Sequence, residues 1–159
     1  MNIESILTFL KEIGSAGLFL AMFIEGSSLP FPGVLVVLSY GYAMNPSMTQ
    51  LIYISIIMSI IYTLASFIPY MVGSKSEQVI RKKFERRLCK AQTWFMHYGM
   101  WSISLSRPFS VGNYISYVAG MSKVPKVKYF MYTFLGILPW SFVTLLLGSE
   151  IRWIFKGMG

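Results

Sequence analysis

Two long stretches of this chain carry one charge each. Between Gly14 and Val72 the only charged residue is Glu25, and between Ala91 and Ser122 the only one is Arg107. In soluble domains about 25% of all residues are charged. Here the share is 13% of 159 residues, and the charges are clumped. Backbone in lipid must satisfy its own polar groups, so runs of this kind predict an all-α polytopic membrane protein.

The net charge of +8 does not point to nucleic acid. The basic residues sit in short blocks, at 75–90 and 123–128, as expected of cytoplasmic segments flanking membrane spans. Cys89 is the only cysteine and His97 the only histidine, so neither a disulfide nor a metal set can be assembled, and no cofactor is expected. The start, Met1-Asn2-Ile3-Glu4, lacks the basic region of a cleaved signal peptide.

Residues 3–13 place Ile3, Ile6, Leu7 and Leu10 at helical spacing, with Glu4, Lys11 and Glu12 opposite. This predicts a short amphipathic helix at the membrane interface. Residues 14–44 are apolar but broken at Glu25-Gly-Ser-Ser-Leu-Pro-Phe-Pro-Gly33. Pro30 and Pro32 remove backbone donors, and Gly33 frees the backbone. A full span needs ~20 residues and two need ~40, so a re-entrant hairpin fits best, with arms at 17–24 and 34–42. Residues 45–50 form an uncharged turn and 51–72 a full span. Residues 73–93 read as a basic amphipathic linker on the cytoplasmic surface, facing anionic lipid through 75–90; a plain solvated connector helix is compatible with the same pattern and needs no special site. Residues 94–122 repeat the broken pattern, with Trp94–Leu105 before Ser106-Arg107-Pro108 and Gly112-Asn113 after it. Residues 129–149 form the last span.

Charge placement fixes a topology. Both basic blocks belong on the cytoplasmic side, and the stretch between them is too short to cross twice. A second hairpin entering and leaving by the cytoplasmic face satisfies both conditions, while the first opens outward. The order of surface helix, broken hairpin and full span thus occurs twice, an inverted repeat. Gly41, Pro46 and Tyr53 recur as Gly120, Pro125 and Tyr132 at an offset of 79. The chain is expected to be one membrane domain over 1–159, with half 1 about 1–72, the linker at 73–93 and half 2 about 94–159.

A lone charge at mid-membrane costs about 2.5–3.5 kcal/mol on the insertion scale. Glu25 and Arg107 each sit beside a helix breaker, so both are expected to face a polar chamber and each other. An ion pair that only fixes the two hairpins is the plainer alternative. Ser27, Ser28, Ser106, Ser110 and Asn113 flank the breakers and could donate to a headgroup, although serines in broken helices also satisfy their own backbone. His97 and Trp94, Trp101, Trp140 and Trp153 read as interfacial or packing residues. No nucleophile–base, metal or phosphate-loop constellation is present, so no enzyme is expected.

The run Glu25–Gly33 with the apolar segment to Gly41, then Arg107-Pro108, Ala119-Gly120-Met121, Tyr129-Phe130, Gly136, Trp140 and Gly148, resembles the DedA (SNARE-associated/VTT) membrane family over about residues 15–150. The resemblance is to a short bacterial member and implies a multi-pass protein of the cytoplasmic membrane. It also implies two re-entrant hairpins of inverted symmetry and transbilayer lipid movement. Bacterial members are associated with undecaprenyl phosphate and with phosphatidylethanolamine, and eukaryotic relatives look like scramblases.

The chain departs from the family pattern at three points. Val34 stands where many members have an acid after Pro-Gly. Asn113 stands where many have a second arginine. Pro108 follows Arg107 directly instead of three residues later. One guanidinium and one carboxylate suit a zwitterion better than a monoanion, with Arg107 on the phosphate and Glu25 on the ammonium. The expected function is therefore flippase- or scramblase-like movement of membrane phospholipid, first of all phosphatidylethanolamine, with undecaprenyl phosphate as the alternative substrate. Proton- or cation-coupled transport through Glu25 and a non-transporting scaffold are rival classes. Self-association as a homo-oligomer is compatible with each.

Overall fold

A computed structural model describes residues 3–29, 31–75, 77–106 and 112–157, with side chains described for 14–29, 31–75, 86, 88–106 and 113–151. The described residues form seven helices: α1 (Ile3–Gly26), α2 (Gly33–Met44), α3 (Met48–Lys75), α4 (Glu77–Tyr98), α5 (Trp101–Leu105), α6 (Gly112–Met121) and α7 (Lys126–Gly157).

Two of these are long and apolar enough to cross a bilayer: the 28 residues of α3, and 26 residues of α7 from Lys126 to Ile151. At about 1.5 Å per residue both exceed the ~30 Å hydrocarbon thickness. The 12 residues of α2 and the 10 of α6 reach only about half of it.

The long helices run antiparallel. Ser59 Oγ meets Ser141 Oγ at 3.4 Å, and further along α3 the Tyr129 hydroxyl donates to Ser66 O at 3.0 Å. The end of α3 at Lys75 and the start of α7 at Lys126 therefore share one end of the molecule. Tyr70 closes that end by donating to Val124 O at 2.6 Å. The exposed Lys75, Arg86, Lys90, Lys123, Lys126 and Lys128 belong to this region.

The helix breaks follow from local chemistry. α1 is interrupted at Gly14 (φ 57°, ψ −144°), the boundary between the expected surface helix and the first apolar arm. α2 ends with Asn45 left-handed (φ 45°), its N–H closing on Gly41 O at 3.0 Å, and Pro46 follows. α6 ends with Lys123 left-handed (φ 50°), Val124 N–H reaching back to Ala119 O at 3.0 Å, and Pro125 follows. Such left-handed caps stop a helix, and a following proline prevents its continuation. The recurrence of Pro46 and Pro125 in the sequence marks the same turn into a span.

The second half departs from the sequence expectation at one place. The linker does not stop at 93: α4 continues to Tyr98, where Gly99 (φ 54°) ends it with its N–H on Phe95 O at 2.9 Å. The apolar run Trp94–Leu105, expected as one arm, is thus divided between the end of α4 and the short α5. Glycine adopts the left-handed conformation at little cost, and that freedom turns the chain here.

Packing crosses between the halves. α2 lies on α7, where a Cβ on Gly41 would come within 3.1 Å of Gly148 Cα and into Leu145 O. α6 lies on α3, where Gly73 faces Tyr117 O and Gly120 faces Tyr70 O. Each short second arm therefore packs, glycine to backbone, on the long helix of the other half. One core cluster joins Leu18, Met22, Val37, Met58, Ile137 and Leu145 around the first helix pair. The other joins Tyr70, Leu88, Ile103, Ile115, Val118 and Tyr129 around the second.

Candidate functional site

Tyr62 stands near the middle of α3, 14 residues after Met48 and 13 before Lys75. It is 3% exposed. Its backbone carbonyl touches Gly26 so closely that a Cβ there would lie 2.7 Å away, and Ala65 closes the same spot. Its hydroxyl donates to Asn113 Oδ1 at 3.1 Å. Gly26 ends α1, and Asn113 lies in the first turn of α6, so the inner ends of both short-helix pairs converge on this one residue.

Glu25 is the penultimate residue of α1, half-buried, with the space beside the Gly33 Cα taken by its carboxylate. Its Oε2 is buried and finds no hydrogen-bond partner among the described residues. A residue without a side chain is needed at 33 for the carboxylate to lie there. The place is the amino end of α2, where the helix dipole favours negative charge.

The serines divide as backbone chemistry dictates. Ser27 Oγ donates to Phe23 O at 2.8 Å, one turn back, and so satisfies its own helix. Ser28 is left-handed (φ 66°), its N–H returning to Glu25 O at 3.1 Å. Its Oγ is buried and finds no hydrogen-bond partner among the described residues. Ser106 is buried, with Oγ on Ile103 O at 3.3 Å.

Glu25 and Gly33, beside Gly26, and Asn113 are thus drawn together around Tyr62. Gly112 begins α6. Pro32 precedes α2 with φ −82° and ψ 59° and offers it no side-chain cap. Arg107, Pro108, Ser110 and Pro30 lie outside the described residues. His97 is exposed, edge-on to Tyr98 at 4.6 Å, and Trp101 meets Tyr132 edge-on at 5.2 Å, at a distance along the fold from this cluster.

Nothing in the sequence marks out Tyr62, which looks like packing within an apolar run. The available signal was a phenol at mid-span, since a buried hydroxyl needs a partner.

A family model described as the VTT domain matches residues 31–150. Undecaprenyl phosphate transporter A of Bacillus subtilis (strain 168) is 27% identical over 157 residues, covering 94% of this chain and 77% of that protein. The protein of the same name from Staphylococcus aureus (strain NCTC 8325 / PS 47) is 27% identical over 166 residues, covering 93% and 79%. No solved structure matches at a significant level. The matched segment takes in α2 to α6 and α7 as far as residue 150, with Gly33, Tyr62 and Asn113 inside it and Glu25 and Gly26 just before it: the chain belongs to the VTT (DedA) family and is a bacterial multi-pass membrane transporter, not an enzyme.

Proposed function

We propose that this protein moves a polyprenyl phosphate, of the undecaprenyl phosphate kind, across the bilayer. The headgroup passes between the inner ends of two re-entrant hairpins while the polyprenyl chain stays in lipid. The observation that carries the reading is the convergence on Tyr62: Gly26 on its carbonyl and Asn113 on its hydroxyl, half-way along a membrane-length helix. The reciprocal packing of α2 on α7 and α6 on α3 supports an inverted repeat, in which one hairpin opens to each side.

The choice of lipid follows the relatives, both named for undecaprenyl phosphate. It reverses the order expected from sequence, where one guanidinium and one carboxylate favoured phosphatidylethanolamine. In the proposed site Arg107 holds the phosphate. Glu25 balances that guanidinium while no lipid is bound, so the empty site stays near neutral and is cheaper to keep at depth. An arriving phosphate replaces the carboxylate as the partner of Arg107. The basic residues around 75–90 and 123–128 attract anionic headgroups to the cytoplasmic mouth.

The test is purified protein in liposomes containing undecaprenyl phosphate, with an impermeant phosphatase reading the outer leaflet. Transport by the wild type, abolished in Glu25→Gln and Arg107→Ala with insertion intact, is the expected result. The reading fails if both variants transport normally, or if the wild type moves labelled phosphatidylethanolamine and leaves undecaprenyl phosphate in place.

A further inference from the structure

The side-chain amide of Asn113 has two chemically distinct ends, and one is already engaged. Tyr62 donates its hydroxyl hydrogen to Asn113 Oδ1 at 3.1 Å. Asn113 itself is only half-buried, and no described residue pairs with its amide nitrogen. A free asparagine can offer a ligand either its oxygen or its nitrogen by turning its terminal torsion, which is broad and roughly two-fold. A fixed phenol on one side removes that freedom, because a phenol is a strong donor and a poor acceptor. Tyr62 is fixed in turn, buried in the middle of α3 with Gly26 packed against its carbonyl. Nδ2, with its two donors, is thereby turned away from Tyr62. It lies on the first turn of α6, where the helix dipole adds positive potential.

We propose that Tyr62 is a positioning residue: it holds the Asn113 amide so that Nδ2 serves as an uncharged hydrogen-bond donor to the lipid phosphate. This rests on the function proposed above. A neutral donor recognises phosphate oxygens without adding a charge at mid-membrane. It also binds more weakly than a second cation would, so the headgroup can leave by the far side.

The rival is a bond that only ties α3 to α6. Asn113→Asp separates the two, because aspartate keeps an acceptor for Tyr62 and loses both donors. In the liposome assay with undecaprenyl phosphate and impermeant phosphatase, Asn113→Asp is expected to lose about tenfold or more in rate, the size of a hydrogen bond to a charged group. The added charge at this depth lowers the melting temperature as well, so the rate is read per folded molecule. Tyr62→Phe, which frees the amide to turn, is expected to slow transport by several fold at low lipid content. A second measurement guards against misfolding of the aspartate variant: the double variant Tyr62→Phe/Asn113→Ala should be no slower than Asn113→Ala alone. Independent, additive losses in that cycle overturn the proposal. So does wild-type transport in Asn113→Asp or in Tyr62→Phe. Active wild type with active variants overturns this inference alone, whereas a wild type that moves no undecaprenyl phosphate overturns it together with the proposed function.

Discussion

The carboxylate of Glu25 occupies the space in which a side chain on Gly33 would begin. Glu25 lies in the last turn of α1 and Gly33 starts α2, so the glycine and the acid act as one unit at the turn. Gly33→Ala forces the carboxylate to move. It can do so, because the obstructing atoms are the far end of a flexible side chain and not backbone. We expect the variant to insert and melt within about 1 kcal/mol of wild type. Lipid transport should fall about tenfold, equivalent to about 1.4 kcal/mol in the barrier. Parallel melting and liposome assays check this. Unchanged transport would separate Gly33 from the site.

Gly41 and Gly120 should behave in the opposite way. Their neighbours are backbone atoms, Leu145 O and Gly148 Cα for the first and Tyr70 O for the second, which cannot swing aside. Gly41→Ala and Gly120→Ala are each expected to destabilise by about 1–3 kcal/mol, as overpacked cores do. The losses should be similar, because each glycine seats a short helix on the long helix of the other half. Melting temperatures in detergent decide it. A stable Gly41→Ala protein would mean that α2 and α7 do not approach this closely.

These two classes of glycine also show what the sequence could reveal. Gly41 and Gly120 were visible as a recurrence at an offset of 79, and the left-handed turns before Pro46 and Pro125 give that recurrence its physical cause. The long helices were visible as uninterrupted apolar runs. Glu25 was visible because a charge alone in an apolar stretch needs an explanation. Gly99 was not visible, since one glycine within an apolar run does not announce a break. Nor was the crossing of α2 to α7 and α6 to α3, which depends on contacts between segments about a hundred residues and about fifty residues apart along the chain. Tyr62 is hidden for the same reason: its place in the site exists only once Gly26, 36 residues before it, and Asn113, 51 residues after it, have been brought to it.

Tyr70 is the clearest test of what holds the cytoplasmic end. Its hydroxyl donates to Val124 O at 2.6 Å, and its ring lies 4.8 Å from that of Tyr129. Both groups of the hydrogen bond are buried. Tyr70→Phe preserves the ring packing and leaves the Val124 carbonyl without that donor, which costs about 1–3 kcal/mol. The melting temperature should fall accordingly. Transport per folded molecule should change little, because the turn lies far along α3 from Tyr62. A variant that melts like wild type would remove the hydrogen bond from the stability of this end.

The orientation of the molecule can be tested with its single cysteine. Cys89 is exposed on α4, next to Leu88, which is buried in the same cluster as Val124. That packing puts Cys89 at the end of the molecule where α3 finishes and α7 starts, among the basic residues expected to face the cytoplasm. Ser47 is exposed in the turn before α3, at the opposite end of a helix about 42 Å long. In intact cells an impermeant maleimide should leave the wild-type protein unlabelled and should react once the membrane is permeabilised. In a Cys89→Ser background, Ser47→Cys should react without permeabilisation. Labelling of both positions from the same side would put the two ends of α3 on one face. It would defeat the assignment of α3 as a span, and with it the opposed hairpins on which the transport route depends.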